Sequence, residues 1–212
     1  MKKKEFILVF PGNTSINHVT VKKRYELIKN MSLKNSYNYK IINYKKIIKD
    51  KNFQINNILS SIDENIEIES AKIIFGLSYG CNIVLNLLNL SNNIFSNTQK
   101  ICLFGAIPYW IFHYGLITNL DETKKYIKEQ GFKINPIEAF NKEIPIEEIV
   151  KKYYGEKILH FGCGTLDKDS TPAFNKYLKS LNKKKTKITF FNGENHYITS
   201  FNKKYEKFIF EI

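Results

Sequence analysis

Residues 71–90 read AKIIFGLSYGCNIVLNLLNL: an unbroken apolar stretch, a glycine-flanked serine, then apolar residues at helical spacing. AKIIFG (71–76) fits a strand of a parallel sheet, since a strand covered on both faces has no polar alternation. In 79–90, Cys81, Val84, Leu85 and Leu88 recur at helical spacing and form a core-facing stripe. The chain is therefore expected to pass from strand to helix at GLSYG (76–80), lifting the Ser78 hydroxyl above the sheet with a helix amino terminus behind it. An ordinary turn or N-cap serine fits the same string, so the decision falls to partners elsewhere in the chain.

Five further segments read as strands: EFILVF (5–10), YKIINY (39–44), KICLFG (100–105), KILHFG (157–162) and KITFF (187–191). Helices are expected over 20–32, 52–65, 121–130, 144–154, 172–181 and near 199–208. Strands alternating with helices predict a three-layer α/β fold, a mainly parallel six-stranded sheet with helices on both faces. A length of 212 residues suits one domain, 1–212. The connection after the fourth strand exceeds a simple crossover, so residues 107–156 are a candidate cap inserted over the carboxyl ends of the strands.

Composition narrows the function classes. Lys and Arg number 33 against 20 Asp and Glu, and nearly all the positive charge is lysine. The KK and KKK clusters are spread from end to end, without an arginine-rich arm, zinc-finger spacing or an RNA-binding aromatic motif, which argues against nucleic acid as the partner. Cys81, Cys102 and Cys163 lie in or beside apolar segments with no CxxC pair, as expected of reduced thiols in a cytoplasmic protein. MKKKEFILVFPG places a short apolar run before Pro11 and Gly12 and lacks a small-residue cleavage site, so it reads as a first buried strand. No segment approaches the roughly 20 apolar residues of a membrane span.

Two more segments place polar groups beyond strand ends, where open parallel sheets gather their ligands and catalytic groups. CGTLDKDSTP follows KILHFG and carries Asp167 and Asp169, and NGENHYI follows KITFF and carries His196. Together with Gly76, Ser78 and Gly80 of the turn and the opening FPGNTS, this order of serine, acid and histidine resembles the α/β-hydrolase superfamily over nearly the whole chain. The resemblance implies a serine hydrolase acting on a carboxylic ester or thioester. Ser78 is the implied nucleophile, which needs a base to take its proton. His196 is that base and later the acid, and Asp167 orients the imidazole. Asp169 is the alternative acid; Asp167 is preferred because the family places its acid shortly after a glycine such as Gly164. The backbone N–H groups of Asn13 and Tyr79 are the implied oxyanion donors, with Gly12 permitting close approach. The chain departs from the family in having Pro11–Gly12 where a histidine–glycine pair is common, and in leaving no room before residue 5 for two opening antiparallel strands.

The remaining features point to packing. His160, inside KILHFG, reads as a core or strand-face histidine; His18, after FPGNTS, reads by default as a solvent-facing loop residue, with an approach to substrate as the alternative, and His113 belongs to the aromatic stretch PYWIFHY. The four histidines form no HxxxH pattern, so no metal site is expected, and no glycine loop fits a dinucleotide or a phosphate. No cofactor is called for. Tyr109, Trp110, Phe112 and Tyr114 could equally line an acyl pocket or pack a cap on the body. The positive charge suits an anionic substrate, such as an acyl group on an acidic carrier protein or coenzyme. Two rival readings use the same residues: an acyltransferase, and a hydrolase-like binding or scaffold protein without turnover.

Overall fold

The apolar runs pair side by side, and their residues alternate between two helix layers. The computed structural model describes residues 5–12, 19–42, 71–91, 94–108, 144–196 and 203–211. In chain order these form β1 (Phe6–Phe10), α1 (Val19–Lys34), β2 (Asn38–Ile41), β3 (Ile73–Leu77), α2 (Tyr79–Leu90), β4 (Lys100–Phe104), α3 (Ile146–Lys152), β5 (Leu159–Gly164), α4 (Pro172–Leu181), β6 (Thr186–Phe191) and α5 (Lys203–Phe210). The six strands form one sheet in the order β2-β1-β3-β4-β5-β6, and all five pairings are parallel. The chain adds strands in one direction from β1 to β2, then in the other from β3 onward. That reversal puts a crevice at the carboxyl ends of β1 and β3.

Ile7 and Val9 of β1 pack with α1 and α5, whereas Phe6, Leu8 and Phe10 pack with α2, α3 and α4. The period of two in strand side chains thus serves two cores. On the α5 face Phe104, Phe191, Tyr205 and Phe208 form an aromatic cluster, with Phe191 stacked on Tyr205 at 4.1 Å. Truncating a side chain such as the buried Phe208 to Ala would cost about 3–5 kcal/mol.

Burial in α2 extends beyond its apolar stripe and includes Asn82 and Asn86. The reason is α3, which covers the outer side of α2 with Ile146, Ile149 and Val150. Asn86 is satisfied there: its Oδ1 accepts the Ile144 N–H and its Nδ2 donates to the Asn82 carbonyl. Residues 146–152 of the candidate cap segment therefore belong to a helix layer of the body, while 109–143 lie outside the described residues. The helices expected over 52–65 and 121–130 also lie outside them. Among the described residues no helix is long and apolar enough to cross a membrane. All three cysteines are buried free thiols.

Candidate active site

Ser78 stands between β3 and α2 with φ 53° and ψ −122°, a left-handed conformation that costs a non-glycine residue about 1–3 kcal/mol. The turn is over-determined by its surroundings. The Ser78 N–H donates to the Phe104 carbonyl at the end of β4, and the Ser78 carbonyl accepts the Cys81 N–H. Gly76 and Gly80 allow the tight packing: a Cβ on Gly76 would meet the Cys81 backbone at 3.0 Å, and one on Gly80 would enter the Phe10 carbonyl. Gly12 lies beside the serine, where a Cβ would come within 3.0 Å of Ser78 Cβ. Ser78 makes no side-chain cap to α2.

Its hydroxyl is instead 2.8 Å from His196 Nε2. The other ring nitrogen, Nδ1, is 3.0 Å from Asp167 Oδ2. With Nδ1–H donating to the carboxylate, Nε2 is left to accept the Ser78 proton. The Asp167 side chain is fully buried and that of His196 is 8% exposed. Asp167 also has its second oxygen occupied, since Oδ1 accepts the N–H groups of Asp169 and Ser170 at 2.9 and 2.8 Å. Asp169 thus contributes its backbone to the network, and His196 meets the Asp167 carboxylate.

The loops after β5 and β6 are tied together. Thr165 and Leu166 donate their N–H groups to the carbonyls of Phe191 and Glu194, and Thr165 Oγ1 accepts the Gly193 N–H. A Cβ on Gly164 would collide with the Glu194 and Asn195 carbonyls, so this glycine permits the acid and histidine loops to meet. Gly105, with φ 69°, faces the imidazole: a Cβ there would be 3.0 Å from His196 Cε1. Sequence reasoning missed Gly105 and Ser170. The available signal for Gly105 was the Phe–Gly pair near the carboxyl ends of two neighbouring strands, Phe75–Gly76 and Phe104–Gly105.

Asp167, Asp169 and His196 offer ligand atoms within 4.8 Å of one another, the one such grouping among the described residues. Both ring nitrogens and both Asp167 oxygens already take part in the hydrogen bonds above. Nearby, the Cys163 thiol donates to the Ser170 carbonyl, and burial, then the Asp167 charge, pushes its pKa up to about 12. That thiol is no nucleophile. His160 lies at the other end of β5, bonded to Thr189 Oγ1. Asn13, His18, Tyr109, Trp110, Phe112, His113 and Tyr114 lie outside the described residues.

Solved structures of similar architecture decide the fold. An alpha/beta hydrolase enzyme from the metagenome of Mar Chica lagoon sediments superposes with a TM-score of 0.63 at 13% identity, covering 92% of this chain and 83% of its own. The chain has the α/β-hydrolase fold. A Paleococcus ferrophilus monoacylglycerol lipase shares that fold with a TM-score of 0.59 at 18% identity, over 91% of this chain and 86% of its own. An N-formylmaleamic acid deformylase from Pseudomonas putida S16 also scores 0.59, at 12% identity, over 92% and 86%. No family model matches the sequence, and no curated protein matches it. In this α/β-hydrolase fold the Ser78–His196–Asp167 network resembles a catalytic triad and is consistent with serine hydrolase chemistry. Fold and network together support an α/β-hydrolase enzyme.

Proposed function

We propose that the protein cleaves a carboxylic ester or thioester through an acyl-enzyme on Ser78. The observation that carries this reading is the 2.8 Å contact from Ser78 Oγ to His196 Nε2, with Nδ1 held by Asp167. The Ser78 oxygen bonds to the acyl carbon as its proton passes to Nε2. The bond to the leaving alcohol or thiol then breaks, and Nε2 returns that proton to the leaving group. Water next gives a proton to Nε2 and adds to the acyl carbon, after which the Ser78 oxygen leaves and recovers the proton. Asp167 stays ionised throughout and supports the transient imidazolium.

Developing charge on the acyl oxygen needs donors fixed in advance. The Tyr79 N–H opens the 12-residue α2 directly after the nucleophile, and Gly12 puts the end of β1 beside it. These positions support Tyr79 and Asn13 as oxyanion donors. The solved structures named above include one protein named for monoacylglycerol and one for deformylation, which supports acyl-group removal as the reaction class. Tyr109, Trp110, Phe112 and Tyr114 are proposed to line the acyl pocket beneath a cap formed by the part of 107–156 that precedes α3.

The formal charge of +13 favours an anionic substrate, such as an acyl group on a coenzyme or acidic carrier protein. A carrier-linked thioester should then turn over faster than its free counterpart at low salt, and equal rates would remove the carrier from the reading. Buried free cysteines suit a reducing compartment and support a cytoplasmic setting. Intact mass after treatment with a fluorophosphonate tests the nucleophile. One adduct is expected on the native protein and none on Ser78→Ala; a folded native protein that takes no adduct would overturn the proposal.

A further inference from the structure

At the amino-terminal end of the sheet, far from Ser78, a groove of about 710 Å³ opens beside β4, β5, β6 and α5. Its volume falls within the usual range of small-molecule sites. Lys100 of β4, Lys157 before β5, Lys187 of β6 and Lys207 of α5 line it, and Lys204 of α5 borders it with its ammonium over the Phe191 ring. Among the described residues the acids that line it are Glu156 and Glu211, and Glu211 is already within 3.4 Å of Lys207 Nζ. Lysines on a convex face disperse their charge into solvent. Here Lys187 and Lys207 are exposed at the rim and Lys100 and Lys157 are half-buried. Lysines from separate elements thus meet at a concavity with apolar walls at Ile158 and Phe208, where the field is stronger than over a convex face.

We propose that this groove is a binding site for a small polyanion carrying phosphate or carboxylate groups. Lysines suit that role as mobile point charges with several donors each. Two titratable groups stand partly buried inside the groove, and one of them, His160, also registers the lysine charge. Lys100 is half-buried, its amine held by the Lys207 and Glu211 carbonyls, and burial lowers its pKa. His160 sits edge-on to Phe208 at 4.7 Å, and burial, then Lys100 and Lys187, pushes its pKa down to about 4. A bound polyanion offsets the two lysine charges and so raises the His160 pKa. The groove opens at the amino-terminal ends of β4, β5 and β6 whereas Ser78 follows the carboxyl end of β3, so its ligand is distinct from the acyl group being cleaved.

The test is a titration of the full chain with pyrophosphate at low ionic strength, following the imidazole signal of His160 by NMR and the heat of binding. His160→Asn assigns the signal. Saturable one-site binding is expected, with the His160 pKa rising by about one unit or more. A Lys187→Gln/Lys207→Gln double variant should weaken binding at least about tenfold while fluorophosphonate labelling of Ser78 is unchanged. A His160 response that sodium chloride of equal ionic strength reproduces would overturn the site, as would an unaltered affinity in the double variant. Neither readout depends on Ser78, so the groove can fail while the hydrolase reading stands, and the reverse.

Discussion

Asp167 and Asp169 are two residues apart, yet they differ in what they can do for His196. Asp167 is buried and uses one oxygen on the imidazole and the other on two backbone N–H groups, whereas the Asp169 side chain is exposed. Asp167→Asn places an amide against Nδ1, which favours the wrong tautomer, and should slow fluorophosphonate labelling of Ser78 about 10³–10⁴-fold with the fold retained. Asp169→Asn should stay within about tenfold of the native rate, because the contact it supplies is a backbone N–H. Comparable losses in both variants would refute the assignment of the acid. His160 carries a separate prediction. Its folded pKa near 4 lies below the ordinary 6.5, so between these values the unfolded chain binds the extra proton. The stability held by neutral His160 is complete above about pH 6.5 and drains away as pH falls toward 4. His160→Gln should flatten that part of the curve of denaturation midpoint against pH, and an unchanged slope would show that this histidine titrates alike in both states.

At the scale of elements, the strand–turn–helix around Ser78 depends on how closely α2 approaches the end of β1. Gly80→Ala drives a methyl group into the Phe10 carbonyl, a backbone atom that cannot swing aside. Overpacking of this kind costs about 1–3 kcal/mol or more, and each kcal/mol lowers Tm by about 2–4 °C in a chain of this size. A thermal melt by circular dichroism should show Gly80→Ala well below the native protein, whereas a Tm within a degree would mean that β1 yields easily. The strands were legible because a parallel sheet buried on both faces must be written in continuous apolar runs. AKIIF and KICLF show this in β3 and β4, where the buried side chains alternate between two helix layers. The burial of Asn82 and Asn86 was not legible, because it follows from α3 crossing over α2 rather than from the sequence of α2. Beyond the strand ends, Ser78 and His196 could be located from one-dimensional order alone. The preference for Asp167 over Asp169 comes from the resemblance, through the glycine at 164, because both follow β5 and only the folded loop brings one carboxylate to the ring. Gly105 escaped for a similar reason: its contact with His196 joins the ends of two strands that are not neighbours in the sheet.

For the molecule as a whole, a formal charge of +13 sets electrostatic repulsion against ion pairs such as those among the described residues. Pairs such as Lys34–Glu206 and Lys152–Glu148 involve exposed lysines, and each contributes about 0–1 kcal/mol in water. Salt weakens both effects, so the sign of its action shows which is larger. Repulsion acts among lysines spread from end to end of the sequence, and a Debye length of about 10 Å at 0.1 M screens those longer distances more than contacts at 2.6–3.7 Å. Raising sodium chloride from 10 to about 200 mM should therefore stabilise the fold, by about 1 kcal/mol or about 2–4 °C in Tm. Sodium pyrophosphate at equal ionic strength should raise Tm further in the native chain but not in Lys187→Gln/Lys207→Gln, since ligand binding adds to screening only where the groove is intact. A Tm that falls with sodium chloride would place the balance with the ion pairs, and an equal response to the two salts would leave the lysine groove as a solvated surface.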